Sequence, residues 1–407
     1  MGRGIFAPFL GSKMDMNEDR QLYSIEIKEL LRESLSRMIP GEFSAHAQDP
    51  VFITRQSYPM LTKVDNLPLY PDSIPELILS WAKLDPAQSF TPEDILVLDL
   101  ETSGLGRGRT VAIMIGLGYY QDGEFFVEQI FLPDFDAEEH SFDRLRQLCE
   151  TRSLLITFNG KSFDLPVLES RLLYHQIWLN LRDLQHLDLL HIARRLWKRK
   201  LPSCALETIE YYVLGHIRDQ ELDLPGAQVP QTYFHYLATG ETKLIKRVFV
   251  HNQDDILHTA ALFTLICDSC NYPPVNNLDA RIDYHALARL YLSQQQPETA
   301  KRILQDLLAQ GIVNTEVLYE LATIYKREKD IEQALATYQL AAELRHPPSM
   351  LECAKILERQ KDFAGALSLS QDILVIEEGR YMRDSRLIFE VQKRSSRLQK
   401  KLVKCVE

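Results

Sequence analysis

Two carboxylates interrupt an otherwise apolar segment of this 407-residue chain. The segment runs Ile95-Leu-Val-Leu-Asp-Leu-Glu-Thr-Ser-Gly104, and its apolar and β-branched residues predict a buried strand. Side chains two residues apart project from the same face of a strand, so Asp99 and Glu101 are expected side by side. Two like charges beside a core are costly without a partner, and a divalent cation with oxygen ligands would supply one. The alternative is a frayed strand end, where helix N-termini or an arginine neutralise both acids.

Composition limits the classes of function. The formal net charge of −11 argues against a broad electrostatic grip on nucleic acid, but it permits a narrow groove in which metal ions meet the phosphates. No apolar run approaches the length of a membrane span, so no membrane partner is expected. The six cysteines are scattered through a long chain, which is typical of reduced thiols and predicts a cytoplasmic protein.

The pattern of residues 91–270 is mixed α/β. We expect residues 1–90 to be a lead-in that packs on this domain. Strands are predicted over residues 94–100, 110–120, 124–131, 154–158 and 181–187, and Gln121-Asp-Gly is a hairpin turn between the second and third. Three meandering strands followed by strand–helix alternation predict a ribonuclease H-like mixed sheet flanked by helices.

Residues 280–382 are predicted to be all-helical and repetitive. Small alanines recur with offsets of 34 and 32 residues, and an apolar position recurs with the same offsets. These positions are Ala300, Ala334, Ala366 and Leu287, Leu321, Cys353. The pattern resembles tetratricopeptide repeats, with an irregular helical bundle as the alternative. Residues 383–407 are predicted to form a basic C-terminal capping helix whose charges are either solvated or in contact with nucleic acid.

A second polar segment, Thr157-Phe-Asn-Gly-Lys-Ser-Phe-Asp-Leu-Pro166, places Asn159 at the end of a strand. Asp164 then opens a helix, where it could cap the N-terminus. The functional interpretation is that the loop holds Asp164 beside Asp99 and Glu101.

A third segment, Val250-His-Asn-Gln-Asp-Asp-Ile-Leu257, is predicted to be helical. His251 and Asp255 are four residues apart and therefore share one face of the helix. The apolar residues that follow would pack the helix and hold that face in place.

Together the acids Asp99, Glu101, Asp164 and Asp255, with His251, resemble the residues of the DEDD exonucleases. The segment Phe158-Asn-Gly-Lys-Ser-Phe-Asp-Leu-Pro166 also resembles the second exonuclease motif of family B DNA polymerases. The order of motifs over residues 90–270, including His186-Leu-Asp-Leu-Leu-His191, is similar to the bacterial YprB-type ribonuclease H-like domain, which is often followed by tetratricopeptide repeats.

The resemblance implies a two-metal 3′→5′ exonuclease that uses Mg²⁺ or Mn²⁺. In this arrangement Asp99 would bridge both ions, Glu101 and Asp255 would complete the ion nearer the attacking water, and Asp164 would hold the second. Asn159, Asp188 and Arg194 are the expected supporting or substrate-binding residues.

The sequence departs from the better-known exonucleases at the histidine. Their histidine type usually has this residue five positions before the last acid, and their tyrosine type has tyrosine four before it. His251 lies four before Asp255 and three before Asp254, which is the alternative ligand. His251 could orient water, act as a base or bond a phosphate.

Our interpretation is a nuclease of single-stranded DNA or RNA whose repeats bind a protein partner. The rival is a non-catalytic scaffold, in which the nuclease-like domain only binds nucleic acid or protein.

Overall fold

The computed structural model describes residues 15–45, 48–59, 61–85, 87–104, 110–219, 221–271 and 278–406. Its contacts divide the chain into two units, one up to residue 273 and one from residue 274. Residues 105–109, within the glycine-rich connection after Gly104, and the first 14 residues of the predicted lead-in lie outside the described residues. The domain limits stated above stay predictions.

Within the described part of the first unit, nine strands form one large sheet and one small hairpin. Their bounds are β1 Glu42–Phe43, β2 Phe52–Pro59, β3 Lys63–Val64, β4 Leu67–Pro68, β5 Ile95–Thr102, β6 Ala112–Gln121, β7 Glu124–Phe131, β8 Leu154–Thr157 and β9 Gln185–Asp188. The large sheet has the order β1-β2-β7-β6-β5-β8-β9, and β3 pairs with β4.

The large sheet is mixed. Strands β5, β6 and β7 form an antiparallel meander, whereas β8 and β9 run parallel to β5. The β6–β7 turn has left-handed backbone at Asp122 (φ 52°) and Gly123 (φ 79°), as a tight two-residue hairpin requires. Strand β2 pairs with β7 along its whole length, so the N-terminal segment adds two strands to the sheet.

Helices cover the sheet. In the first unit they are α1 Asp15–Met38, α2 Glu76–Ala82, α3 Glu138–Cys149, α4 Asp164–Tyr174, α5 Leu189–Trp197, α6 Leu206–Ile209, α7 Val229–Thr239 and α8 Lys243–Cys270. A π-turn, Glu210–Leu214, continues α6. The predicted mixed sheet flanked by helices is therefore confirmed. The predicted start of the fifth strand is wrong, because Asn180 caps a 3₁₀ turn at Leu181–Asp183 and β9 begins only at Gln185.

Helix α8 lies directly on β6 because two strand positions lack a side chain. A β-carbon at Gly116 would lie 2.3 Å from Asn252 Oδ1, and one at Gly118 would lie 2.7 Å from Ile256 Cγ2. Both glycines point to one face of the strand, and the two helix residues are one turn apart. The close approach brings the polar face of α8 onto β5, which carries Asp99.

We expect Gly118→Ala to destabilise the first unit by about 1–3 kcal/mol, because the added methyl group overpacks Ile256 and Phe125. Urea unfolding followed by tryptophan fluorescence measures this, since the three tryptophans, Trp81, Trp178 and Trp197, all lie in the first unit. Gly226→Ala, in the same unit, is the control, because a β-carbon there meets nothing closer than 3.4 Å. An unchanged midpoint for Gly118→Ala would contradict the close packing.

The second unit is helical throughout its described residues. Its helices are α9 Tyr284–Ser293, α10 Pro297–Ala309, α11 Thr315–Arg327, α12 Ile331–Glu343, α13 Pro347–Arg359, α14 Phe363–Glu378 and α15 Ser385–Val406. None of the described helices in either unit combines the length and the apolar character that crossing a membrane demands.

The first six of these helices form three similar pairs. Each pair is joined by a turn with one left-handed residue, at Gln295, Lys329 and Lys361. The repeating small and apolar positions are all buried: Ala300, Ala334, Ala366, Leu287, Leu321 and Cys353. In the second and third pairs, Asp330 and Asp362 cap the second helix, whereas the first pair has Gln296 without a side-chain cap bond, followed by Pro297. The predicted all-helical unit is confirmed, and its assignment as tetratricopeptide repeats stays a prediction.

The basic helix α15 packs through apolar positions and pairs part of its charge. Val391 and Leu398 are fully buried against α13 and α14. Glu358 forms ion pairs with Arg394, with Arg397 at 2.7 Å and with Lys401 at 2.9 Å. Burial raises the pKa of Glu358, but the bonds from Arg397 and Lys401 and the charge of Arg394 outweigh this effect and lower the pKa to about 2.

Because the pKa of Glu358 is lower in the folded chain, its ion pairs stabilise α15 above the ordinary glutamate pKa and lose that effect as pH falls through about 2. We expect Glu358→Gln to unfold the second unit at lower urea than wild type at pH 6. The difference should shrink steadily between pH 5 and pH 2. Circular dichroism measures it, with the exposed Glu343→Gln as the control. A difference that does not depend on pH would contradict the assignment.

Candidate active site

Asp99 and Glu101 project from β5 toward α8. Asp99 pairs in register with Gly116 of β6, and Glu101 pairs with Met114. Glu101 is 6% exposed, and Asp99 is partly exposed. A register shift follows directly after Glu101, so the strand carries both acids to the point where regular pairing ends.

Asp164 joins them from the first turn of α4. Its Oδ1 accepts a hydrogen bond of 3.1 Å from the backbone N–H of Leu100, the residue between the two acids of β5. Pairing of β5 with β8 ends at Val97, so the carboxylate bonds a backbone group that β8 does not reach. Phe163 is the N-cap residue of this helix and makes no side-chain cap bond, so Asp164 occupies the first helical position.

His251 and Asp255 approach from α8. His251 Nε2 lies 3.8 Å from Glu101 Oε1 and 3.8 Å from Asp255 Oδ2. The other ring nitrogen, Nδ1, lies 2.8 Å from both Asp223 Oδ1 and Arg218 Nη1. Nδ1 can donate to Asp223 or accept from Arg218, and the tautomer follows from that choice.

The four acids repel one another. Withdrawal from water raises the pKa of Asp99 well above its ordinary value, and the charges of Asp255, Asp164 and Glu101 add to this effect. Withdrawal from water and the charges of Asp255 and Asp164 likewise raise the pKa of Glu101. Burial raises the pKa of Asp164 to about 7. A cation placed among these oxygens would relieve the repulsion.

Arg218 supplies one positive charge at the edge of the group. It donates to Asp255 Oδ1, and it makes two bonds of 2.6 Å to the two oxygens of the buried Glu210. Its Nη1 also lies 3.5 Å from Asp223 Oδ2. Arg218 thus neutralises Asp255, one of the predicted metal ligands. The sequence alternative expected such an arginine beside Asp99 and Glu101.

The predicted ligands are gathered but not closely packed. In the described chain, two groups of three acidic or histidine side chains have ligand atoms within 4.8 Å of one another, and both lie outside this site. Asp99, Glu101, Asp164 and Asp255 do not form such a group. Their donor set, carboxylate oxygens alone, fits Mg²⁺ or Mn²⁺ in kind, and ion binding would require the carboxylates to close in.

A row of polar residues on the same face of the sheet fixes Asp99. Thr54 donates to Gln129 Oε1 at 2.9 Å, Gln129 donates to Asn252 Oδ1 at 3.0 Å, and Asn252 donates to Asp99 Oδ2 at 2.9 Å. Thr54, Gln129, Gly116 and Asp99 are consecutive cross-strand partners in the sheet. Asn252 therefore occupies the space that a side chain at Gly116 would fill, and it completes the row.

The predicted supporting residues have different positions. Asp188 is 2% exposed, and its carboxylate accepts from the backbone N–H groups of Asn159 at 2.8 Å, Lys161 at 3.0 Å and Leu190 at 3.1 Å. It thereby fixes the loop before Asp164 and caps α5.

Asn159 has an exposed side chain and left-handed backbone (φ 70°). Arg194 lies on the exposed face of α5, where its charge acts on Cys204, and no described contact brings it to the acids.

Sequence reasoning missed Arg218, Asp223 and Gln129. The α8 residues that they contact are between 28 and 123 residues away in the chain, so no local spacing reveals these contacts. One signal was available: glycines at alternate positions of a strand, Gly116 and Gly118, mark a close approach of another element.

Comparisons with known proteins agree with this architecture. Residues 96–267 match a family model of the RNase_H superfamily. The mixed sheet flanked by helices is consistent with a ribonuclease H-like fold. Over 300 residues the chain is 29% identical to the uncharacterized protein YprB of Bacillus subtilis (strain 168), in a match that covers 71% of each chain. Among solved structures, the chain was matched to a family B DNA polymerase from the hyperthermophilic archaeon Pyrobaculum calidifontis, at 13% identity and a TM-score of 0.35. That match covers 59% of this chain and 30% of the polymerase chain.

We expect Asn252→Ala to destabilise the ribonuclease H-like domain by about 1–3 kcal/mol, because it leaves Gln129 and Asp99 without their buried partner. Urea unfolding read by tryptophan fluorescence measures the loss. Gln231→Ala, at an exposed position of α7, is the matched amide control and should change little. Equal midpoints for the two variants would contradict the role of the polar row.

Proposed function

We propose that this chain is a metal-dependent nuclease that hydrolyses phosphodiester bonds of single-stranded nucleic acid, most specifically as a 3′→5′ exonuclease. The observation that carries the proposal is the gathering of Asp99, Glu101, Asp164 and Asp255 around His251 at the end of β5. The four acids come from three separate segments, and their mutual repulsion has no structural benefit of its own.

In the proposed site Asp99, Glu101, Asp164 and Asp255 hold two divalent ions, Mg²⁺ or Mn²⁺. When bound, such ions activate water and stabilise charge on the leaving oxygen. Asn252 holds one oxygen of Asp99 and so orients the other. His251, with Nε2 toward Glu101 and Asp255, is positioned to hold the attacking water or a phosphate oxygen.

Arg218 has a defined part in this proposal. It neutralises Asp255, and its two bonds to Glu210 would keep it in place if Asp255 binds an ion. A guanidinium held there would meet a substrate phosphate.

A cavity beside the site offers a path for the substrate. It has a volume of about 730 Å³, and its lining includes Arg218, Asp223, Tyr211 and Tyr212. The two tyrosines are 56% and 57% exposed, with ring centroids 4.9 Å apart. Exposed aromatic faces next to a basic group suit the stacking of unpaired bases. Tyr233 and Tyr236, two further aromatic residues of the same domain, are fully buried in the core and cannot stack on a base.

The helical pairs of the second unit would bind a protein partner, as stacked repeats commonly do. The cytoplasm is the expected compartment. This expectation rests on the scattered cysteines, five of which are free in the described chain.

The test is digestion of 5′-labelled single-stranded DNA and RNA with Mg²⁺ or Mn²⁺. We expect a ladder that shortens from the 3′ end and is abolished by EDTA. Asp99→Asn and Asp255→Asn should each lower the rate at least about 10²-fold, because each removes a charged ion ligand. Asp136→Asn, which removes an acid from an exposed cluster elsewhere, should leave the rate unchanged.

Two results would contradict the proposal. Cleavage that survives in Asp99→Asn would show that the four acids are not the site. Binding of single strands without cleavage by any folded preparation would favour the non-catalytic scaffold.

A further inference from the structure

A second group of ligand-type side chains lies on the far side of Glu210 from Arg218. It consists of Asp65, His216 and His258, which we call the histidine cluster, and one ligand atom from each lies within 4.8 Å of the others. The residues come from three places: the β3–β4 turn, the position after Gly215 and the middle of α8. None of them has a part in the proposed nuclease site.

The distances in the histidine cluster suit a tetrahedral ion. Asp65 Oδ1 lies 3.3 Å from His216 Nδ1, and Asp65 Oδ2 lies 3.2 Å from His258 Nε2. The two imidazole centroids are 4.2 Å apart. Ligands about 2.0–2.1 Å from a tetrahedral zinc ion lie about 3.3–3.4 Å from each other, and each oxygen of Asp65 lies at about this spacing from one imidazole nitrogen.

Hydrogen bonds within the protein do not account for every polar atom of this cluster. His216 Nε2 is buried without a hydrogen-bond partner, and the 3.2 Å contact of Asp65 Oδ2 with His258 Nε2 lacks hydrogen-bond geometry. His258 is 2% exposed, so its ring does not meet bulk water. Buried polar atoms without partners are rare in folded proteins, and a bound ion commonly satisfies such atoms.

A carboxylate behind His258 sets the ring for metal binding. Glu210 Oε1 lies 2.9 Å from His258 Nδ1, on the side of the ring away from Asp65. A negative charge there favours the proton on Nδ1, which leaves the Nε2 lone pair directed at the cluster. Metal-binding histidines are commonly oriented by such a carboxylate.

We propose that Asp65, His216 and His258 bind one divalent transition-metal ion, with Zn²⁺ as the best match. Two imidazoles and one carboxylate are a borderline donor set, which suits Zn²⁺ better than the hard ions Mg²⁺ and Ca²⁺. Asp254, one helical turn before His258, places a further negative charge near both imidazoles. The ion ties the β3–β4 hairpin to α8, and its presence does not depend on nuclease activity.

The other group of three ligands in the described chain does not compete for this role. Asp49, Asp134 and Asp136 surround Lys28, whose Nζ lies 2.7 Å from Asp49 and 2.7 Å from Asp136. A lysine already supplies the positive charge there.

The test is metal binding by the full-length chain after EDTA treatment and removal of the chelator. Zn²⁺ is titrated against a chromogenic competitor, and Co²⁺ is titrated while the intense visible absorption of tetrahedral cobalt is recorded. We expect one Zn²⁺ per chain and tetrahedral Co²⁺ absorption. Zn²⁺ should also raise the thermal midpoint read by tryptophan fluorescence, because it binds only the folded chain.

Matched variants separate this site from other histidines and from the four acids. His216→Gln should weaken Zn²⁺ binding at least about tenfold and abolish the cobalt absorption. His285→Gln, which removes a histidine bonded to Glu320 in the second unit, should leave both unchanged. Asp99→Asn should also keep both, which distinguishes this ion from any ion of the nuclease site. Asp65→Asn is a second ligand variant, since asparagine tolerates the left-handed backbone at this position (φ 51°).

Equal Zn²⁺ affinity in wild type, His216→Gln and Asp65→Asn would overturn the proposal. So would absence of tight Zn²⁺ binding by the wild type, or its loss in Asp99→Asn. Because every readout is binding or stability, these outcomes are separate from success or failure of the digestion experiment.

Discussion

The contact of α8 with β6 is the interaction on which the rest of the first unit depends. Because Gly116 and Gly118 have no side chains, one face of the helix reaches the backbone of the sheet. That face carries Asn252, which holds Asp99, and it continues one turn later with Ile256 in the core. The neighbouring position His251 thereby reaches Glu101, and the charge of Asp255 acts on the same acid. Core packing and the arrangement of charge have the same cause here.

The charges around α8 form a continuous series. Asp223 and Asp255 contact Arg218, Arg218 contacts Glu210, and Glu210 contacts His258. Burial raises the pKa of Glu210, but its contacts with His258 and Arg218 outweigh this and lower the pKa to about 2. Glu210 therefore remains charged at neutral pH, and it orients Arg218 on one side and the imidazole of His258 on the other. The proposed nuclease site and the histidine cluster share this one carboxylate as a common support.

The sequence predicted what depends on local pattern. The apolar run around Asp99, the Asp-Gly turn and the repeated alanines each encode their structure within a few residues, and the structure has all three. Asp164 lies beside β5, where its carboxylate accepts a hydrogen bond from the backbone N–H of Leu100. Arg218 and Gln129 could not be found in this way, because their partners come from distant segments that only the folded sheet and α8 bring together. The histidine cluster has no local pattern for the same reason, since its aspartate lies 151 residues from His216.

Strand β2 lies outside the segment that matches the RNase_H superfamily, yet it pairs with β7 over eight residues. A fragment trimmed to residues 96–267 would leave the N–H and C=O groups along that side of β7 without partners. Open strand edges of this kind template association with other chains, so such a fragment would tend to aggregate. It would also lack Thr54, the outermost member of the polar row. The segment that matches the family model is therefore shorter than the segment that completes this sheet.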